Sequence, residues 1–129
     1  GKTLIVEREL MDAVTAVSGS GPAYVYMFID AMADAGVRLG LTKDAALELA
    51  VQTVIGSAKM IEQTKQPPSV LKDKVCSPAG TTIEAVYSLQ ENNFAYTIMN
   101  AIEKCAAKSK EISETYDTAV NSGFPEIEE

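Results

Sequence analysis

Apolar positions along the chain recur in steps of three and four, and no segment alternates apolar and polar residues in steps of two. Proline and glycine fall at Gly19-Ser20-Gly21-Pro22, Gly36 to Gly40, Pro67-Pro68, Pro78-Ala79-Gly80 and Gly123-Phe124-Pro125, and they cut the sequence into pieces of helical length. Glu7 to Val17 reads as a short helix with an indistinct apolar face. Ala23 to Leu39 reads as a second, with Pro22 at its first position, where the missing N–H costs nothing. Its polar residues Asp30, Asp34 and Arg38 are spaced by four and form one thin stripe on an otherwise apolar cylinder. A third helix is expected from Lys43 to about Lys65, with Thr42 as its N-cap and Asp44 and Glu48 near the positive end of its dipole. Asp44, Glu48, Gln52, Lys59 and Glu62 again leave only a narrow polar strip. A surface helix of a monomer carries a broader one. Two helices this dry need cover on several sides, which points to an intertwined oligomer; a large partner domain would serve the same end.

Pro68 to Val75 and Gly80 to Gln90 read as two shorter helices, the second with Ile83, Val86, Tyr87 and Leu89 as its apolar members. The last helix is expected from Asn93 to about Asp117. Along it Ile98, Ile102, Cys105, Ser109, Ile112 and Tyr116 alternate in steps of four and three, a seam that faces another helix. Val120 to Glu129 reads as an acidic, frayed tail. The expected architecture is all-α, with five to six helices of which two or three are long. One domain is expected over residues 1–119, followed by the tail at 120–129.

A length of 129 residues suits one domain, and 47% apolar with 22% charged residues is the balance of a soluble globular protein. Eleven basic residues against eighteen acidic ones give a net charge of −7, the wrong sign for a protein that neutralises a nucleic-acid backbone. With no His and two Cys, the usual four-ligand zinc site and any His-based triad are excluded. The longest apolar run, Ala23 to Ile29, is far short of the ~20 residues needed to span a bilayer, and Gly1-Lys2-Thr3 opens no signal sequence. The expectation is an acidic cytoplasmic protein with no metal, no nucleic-acid partner and no membrane partner.

Gly19-Ser20-Gly21 begins like a dinucleotide-binding fingerprint, but Tyr24 stands where its last glycine belongs and Met11 to Val17 looks helical where a strand is required. The most unusual stretch is Val75-Cys76-Ser77-Pro78-Ala79-Gly80-Thr81-Thr82-Ile83-Glu84. One helix ends near Val75, the chain turns at Pro78, and another helix begins near Gly80. The N–H groups of Gly80, Thr81 and Thr82 then lack intrahelical acceptors, and with the dipole behind them they suit a carboxylate or phosphate. Ser77, Thr81 and Thr82 bring three hydroxyls to the same place. The same residues can serve as ordinary caps, with Thr81 and Glu84 forming a capping box. Cys76 lies beside a helix start, which favours a thiolate, but no His can act as its base, and a buried inert thiol is the simpler account. In Ser18-Gly19-Ser20-Gly21-Pro22-Ala23-Tyr24, the two glycines let backbone approach a ligand or another backbone closely, or they make a plain turn between helices.

Asp12-Ala13-Val14-Thr15-Ala16 leading into Ser18 to Tyr24, and Leu71-Lys72-Asp73 followed by Val75 to Ala85, together resemble the C-terminal half of pyrroline-5-carboxylate reductase. The resemblance runs from about Val6 to Ile112, and its second block is that family's signature region. It implies an all-helical domain that dimerises by interlocking long helices, with dimers able to gather into a decamer. It implies hydride transfer from NADPH or NADH to the C=N carbon of pyrroline-5-carboxylate, giving L-proline. By position, it implies that the substrate carboxylate rests on the N–H groups around Gly80, Thr81 and Thr82 with the Ser77 hydroxyl. Thr82 is then the catalytic position, its hydroxyl at the ring nitrogen, while Val75 and the Gly19 turn line the pocket. A cyclic imine can arrive already protonated from water, so the absence of His is no obstacle, and orientation with a carboxylate anchor is what remains to be supplied. A threonine hydroxyl titrates far from neutrality, so Thr82 positions more than it donates. The family's N-terminal dinucleotide-binding domain is expected to be absent from this chain, which alone is expected to be inactive. Lys65 stands where some members carry an acidic residue near the pocket rim. The alternative is a purely structural helical oligomerisation module.

Overall fold

Caps and prolines set where each helix starts and stops. The computed structural model describes residues 1–123, and among them there is no strand, as the patterning predicts. Helix α1 (Met11–Val14) lies between a 3-10 turn (Arg8–Leu10) and a π-helical turn (Thr15–Gly19). The others are α2 (Gly21–Arg38), α3 (Lys43–Thr64), α4 (Pro68–Val75), α5 (Thr81–Glu91) and α6 (Phe94–Gly123). The segment expected as one helix from Glu7 to Val17 is thus wound in three ways in succession. Ser20 stays in the right-handed region (φ −90°, ψ −16°), so the two glycines around it do not reverse the chain.

The chain divides into two units, Ala23–Phe94 and Gly1–Pro22 with the chain from Ala95 onward. In the first, α2 ends in a Schellman motif. Gly40 takes a φ of 108°, its N–H donates to the Val37 carbonyl, and the Leu41 N–H donates to the Gly36 carbonyl, both at 3.0 Å. Thr42 then caps α3 as expected, its Oγ1 accepting from the Ala45 N–H at 3.2 Å. Lys65 closes α3 at φ 59°, and Pro67 leads into α4, whose first residue is Pro68. Where α2 and α3 cross, the buried side chains are Ala33, Ala46 and Ala50, with Ile29 and Met32 packed against them. The approach is close: a Cβ added at Gly36 would lie 3.1 Å from Ala46 Cβ and 3.2 Å from Leu41 Cδ1. The rings of Phe28 and Phe94 meet at 6.4 Å. Most large side chains of the dry helices are open to solvent, among them Tyr26, Met27, Leu39, Leu49 and Met60.

In the second unit Ala16 is fully buried. Ile102, Cys105 and Ser109, the middle of the expected seam, are half-buried, whereas Ile98, Ile112 and Tyr116 are exposed. Two side-chain hydrogen bonds reach from α6 to the N-terminal segment. Ser109 Oγ donates to Asp12 Oδ1 at 2.7 Å, and Cys105 Sγ donates to Ser20 Oγ at 3.3 Å. Helix α6 runs to Gly123, past the end expected near Asp117, so residues 120–123 of the expected tail are helical; residues 124–129 of it lie outside the described residues. Along this last part the Thr115 and Thr118 hydroxyls donate back to the carbonyls of Glu111 and Glu114, and Lys110 lies 4.0 Å from Glu114. No helix of the described residues is long and apolar enough to cross a membrane.

Candidate functional site

The signature stretch folds as a tight turn between two helices. Helix α4 stops because Cys76 leaves helical conformation (φ −89°, ψ 106°). The Gly80 N–H donates to the Ser77 carbonyl at 3.1 Å and closes a four-residue turn over Pro78 and Ala79. Pro78 supplies the φ that its second position wants. Ala79, at φ 57°, occupies the third position, where a type II turn favours glycine and alanine costs about 1 kcal/mol. Gly80 then becomes the N-cap of α5, in extended conformation (φ −83°, ψ 171°).

This arrangement corrects two sequence-based expectations. The capping box of Thr81 with Glu84 is not formed, because the turn puts Gly80 at the N-cap and Thr81 already inside the helix; no side chain caps α5. The Gly80 N–H is not an open donor either, since the Ser77 carbonyl takes it. The donors left are those of the first turn proper, from Thr81, Thr82 and Ile83, for which the helix itself has no acceptor. The Ser77 side chain stands over this helix start. A Cβ added at Gly80 would collide with Ser77 Oγ and come 3.1 Å from the Ser77 carbonyl oxygen, so a larger residue there would turn that hydroxyl aside.

The structure therefore brings Ser77, Gly80, Thr81 and Thr82 together, with Ser77 and Thr81 exposed and Gly80 and Thr82 half-buried. Val75, exposed at the end of α4, lines an apolar groove of about 580 Å³ between α3 and α4, together with Gly56, Met60, Ile61 and Leu71. That groove was not foreseen, because it depends on how two helices diverge. Gly19 belongs to the other unit and ends its π-helical turn. The cations nearest in sequence are engaged elsewhere: Lys74 Nζ donates to Gln66 Oε1 at 2.9 Å, and Lys72 lies 3.8 Å from Asp73. Backbone N–H groups, hydroxyls and the dipole of an eleven-residue helix are what the turn offers an anion. No cluster of His, Cys, Asp and Glu among the described residues could hold a metal ion.

Residues 8–112 match the family model for pyrroline-5-carboxylate reductase dimerisation. The chain belongs to that family. Pyrroline-5-carboxylate reductase of Arabidopsis thaliana is 49% identical over 115 residues, which cover 89% of this chain and 42% of that protein. The Escherichia coli (strain K12) enzyme is 47% identical over 115 residues, covering 89% and 43%. The crystal structure of Plasmodium falciparum pyrroline carboxylate reductase with NADP bound superposes with a TM-score of 0.80 at 46% identity, covering 82% of this chain and 40% of that one. The chain thus spans about two-fifths of the length of the reductases it matches.

Proposed function

We propose that the domain supplies the substrate-carboxylate site and the subunit interface of a pyrroline-5-carboxylate reductase, the enzyme that reduces the cyclic imine to L-proline. The observation that carries this reading is the uncapped start of α5 with the Ser77 hydroxyl held over Gly80. The substrate carboxylate takes the N–H groups of Thr81 and Thr82 and the Ser77 hydroxyl. The Thr82 hydroxyl, half-buried one residue further into the helix, accepts from the protonated ring nitrogen and fixes which face of the C=N bond is presented. Val75, at the end of α4, completes the wall of this site. None of these groups needs to gain or lose a proton at neutral pH, so the contribution of the chain is orientation and charge complementarity.

NADPH or NADH would supply the hydride. The described residues do not fit its pyrophosphate: Gly19-Ser20-Gly21 follows a π-helical turn, where a phosphate-binding loop follows a strand. We assign the cofactor to residues outside those described, and the 129 residues by themselves are expected to bind without turning over. The open apolar faces of α2 and α3 are assigned to a second copy of the chain, with five such dimers gathered into a decamer as the larger assembly. Cys76 and Cys105 remain thiols, and with the net charge of −7 they suit the cytoplasm.

Titration of the chain with L-proline, followed by amide NMR, tests the site. Shifts are expected at Ser77 to Ile83. Thr82→Ala is expected to weaken binding about fivefold, the loss of one hydrogen bond, with helicity intact. No shift in the unmodified chain would overturn the carboxylate site. For the interface, sedimentation is expected to give twice the 13.8 kDa chain mass and a thermal midpoint that rises with protein concentration. A monomer with a midpoint indifferent to dilution would overturn it.

A further inference from the structure

Glu84 is left without the role its spacing from Thr81 suggests. A capping box would occupy its carboxylate with a backbone N–H at the helix start. No such bond forms, because Gly80 is the N-cap, one residue too early for the box, and the Gly80 N–H goes to the Ser77 carbonyl. Among the described residues the exposed Glu84 carboxylate has no hydrogen-bond or ion-pair partner.

The helix nevertheless fixes where that carboxylate stands. Thr81 and Glu84 are three residues apart in α5, so their Cβ atoms lie about 5–6 Å apart on one face. A helical side chain leans toward the N-terminus, over the turn before its own Cα. Here that turn carries the N–H groups of Thr81, Thr82 and Ile83. The positive end of the α5 dipole and a negative side chain thus share one turn of helix. A carboxylate in that place opposes a plain anion and favours a ligand that also carries a positive charge a few ångströms from its own carboxylate. We infer that Glu84 is a specificity-determining residue: it selects a carboxylate joined to a positively charged ring nitrogen. The inference rests on the proposed carboxylate site at the start of α5. Glu84 then keeps the nitrogen of the cyclic imine protonated, the form that takes hydride at carbon, and it acts by charge, leaving the hydrogen bond at that nitrogen to Thr82.

The test is calorimetric titration of the whole chain at neutral pH and low salt with two ligands. L-proline carries the charged nitrogen; cyclopentanecarboxylate keeps the ring and the carboxylate and has a CH2 group in its place. Glu84→Gln is expected to shift the ratio of the two affinities about threefold against L-proline, the effect of one charge at ~6 Å in water. Glu84→Asp keeps the charge and is expected to keep most of the preference. In the unmodified chain, added salt is expected to narrow the preference for L-proline, a reading that needs no variant. Should Glu84 serve the helix dipole alone, both ligands gain alike in Glu84→Gln and the ratio stays where it was. That result, or a preference indifferent to salt, overturns the inference and leaves the carboxylate site standing. No response of the unmodified chain to either ligand overturns the proposed function, and this inference with it.

Discussion

Helices α3 and α5 begin in opposite ways. Thr42 accepts from the N–H of Ala45, the third residue of α3, and so takes one of the donors at that helix start. Gly80 has no side chain to offer, and the Ser77 hydroxyl that stands over it caps no donor of the helix. Both starts follow tight turns within the same unit, so neither turn geometry nor helix polarity separates them. The difference lies in what satisfies the donors. The difference is one donor: the third N–H of α3, Ala45, is taken by Thr42, whereas the third N–H of α5, Ile83, has no side-chain acceptor and adds to those of Thr81 and Thr82 as an offer to an anion.

The sharpest way to break this contrast is Gly80→Ala. The added Cβ turns the Ser77 hydroxyl aside, and the expected result is a loss of L-proline affinity of about fivefold, the loss of one hydrogen bond, with unfolding free energy lowered by no more than about 1 kcal/mol. Calorimetric titration and urea denaturation read the two effects, and an unchanged affinity would remove the argument for a bare start. Thr42→Ala is the complement. It is expected to lower stability by about 1 kcal/mol in the same denaturation experiment and to leave L-proline binding as it was. Smallest is Lys65→Gly at the other end of α3. Relief of the left-handed φ at Lys65 is expected to raise stability by about 0.5–1 kcal/mol, seen as a higher denaturation midpoint with no change in binding.

The elements that sequence reading located best are those with punctuation at both ends. Pro67-Pro68 and the Cys76 boundary give α4 its observed limits, and Thr42 with Pro67 brackets α3 to within a residue. The π-helical turn at Thr15–Gly19 was not legible, because π and α windings present similar side-chain patterns over one turn and the wider winding depends on contacts with α6. The end of α6 was placed too early because the apolar seam stops at Tyr116, while the helix goes on to Gly123. At the candidate site the residue types were read correctly and one role was not. Thr81 before Glu84 looks like a capping box, and only the Gly80 to Ser77 hydrogen bond shows that the helix begins one residue earlier than such a box requires.

The alanine contact between α2 and α3 bears on the order of events in assembly. Ala33, Ala46 and Ala50 have no rotamers to select, so this hairpin can close at the speed of local helix pairing. The large side chains that could discriminate one neighbour from another, Tyr26, Met27 and Leu39 among them, take no part in that closure. On the proposal that a second copy covers them, refolding is expected to show a fast phase independent of dilution, in which helicity returns, and a slower second-order phase in which the tyrosine environment changes. Shape selectivity then operates at encounter between chains, after each has already acquired its helices.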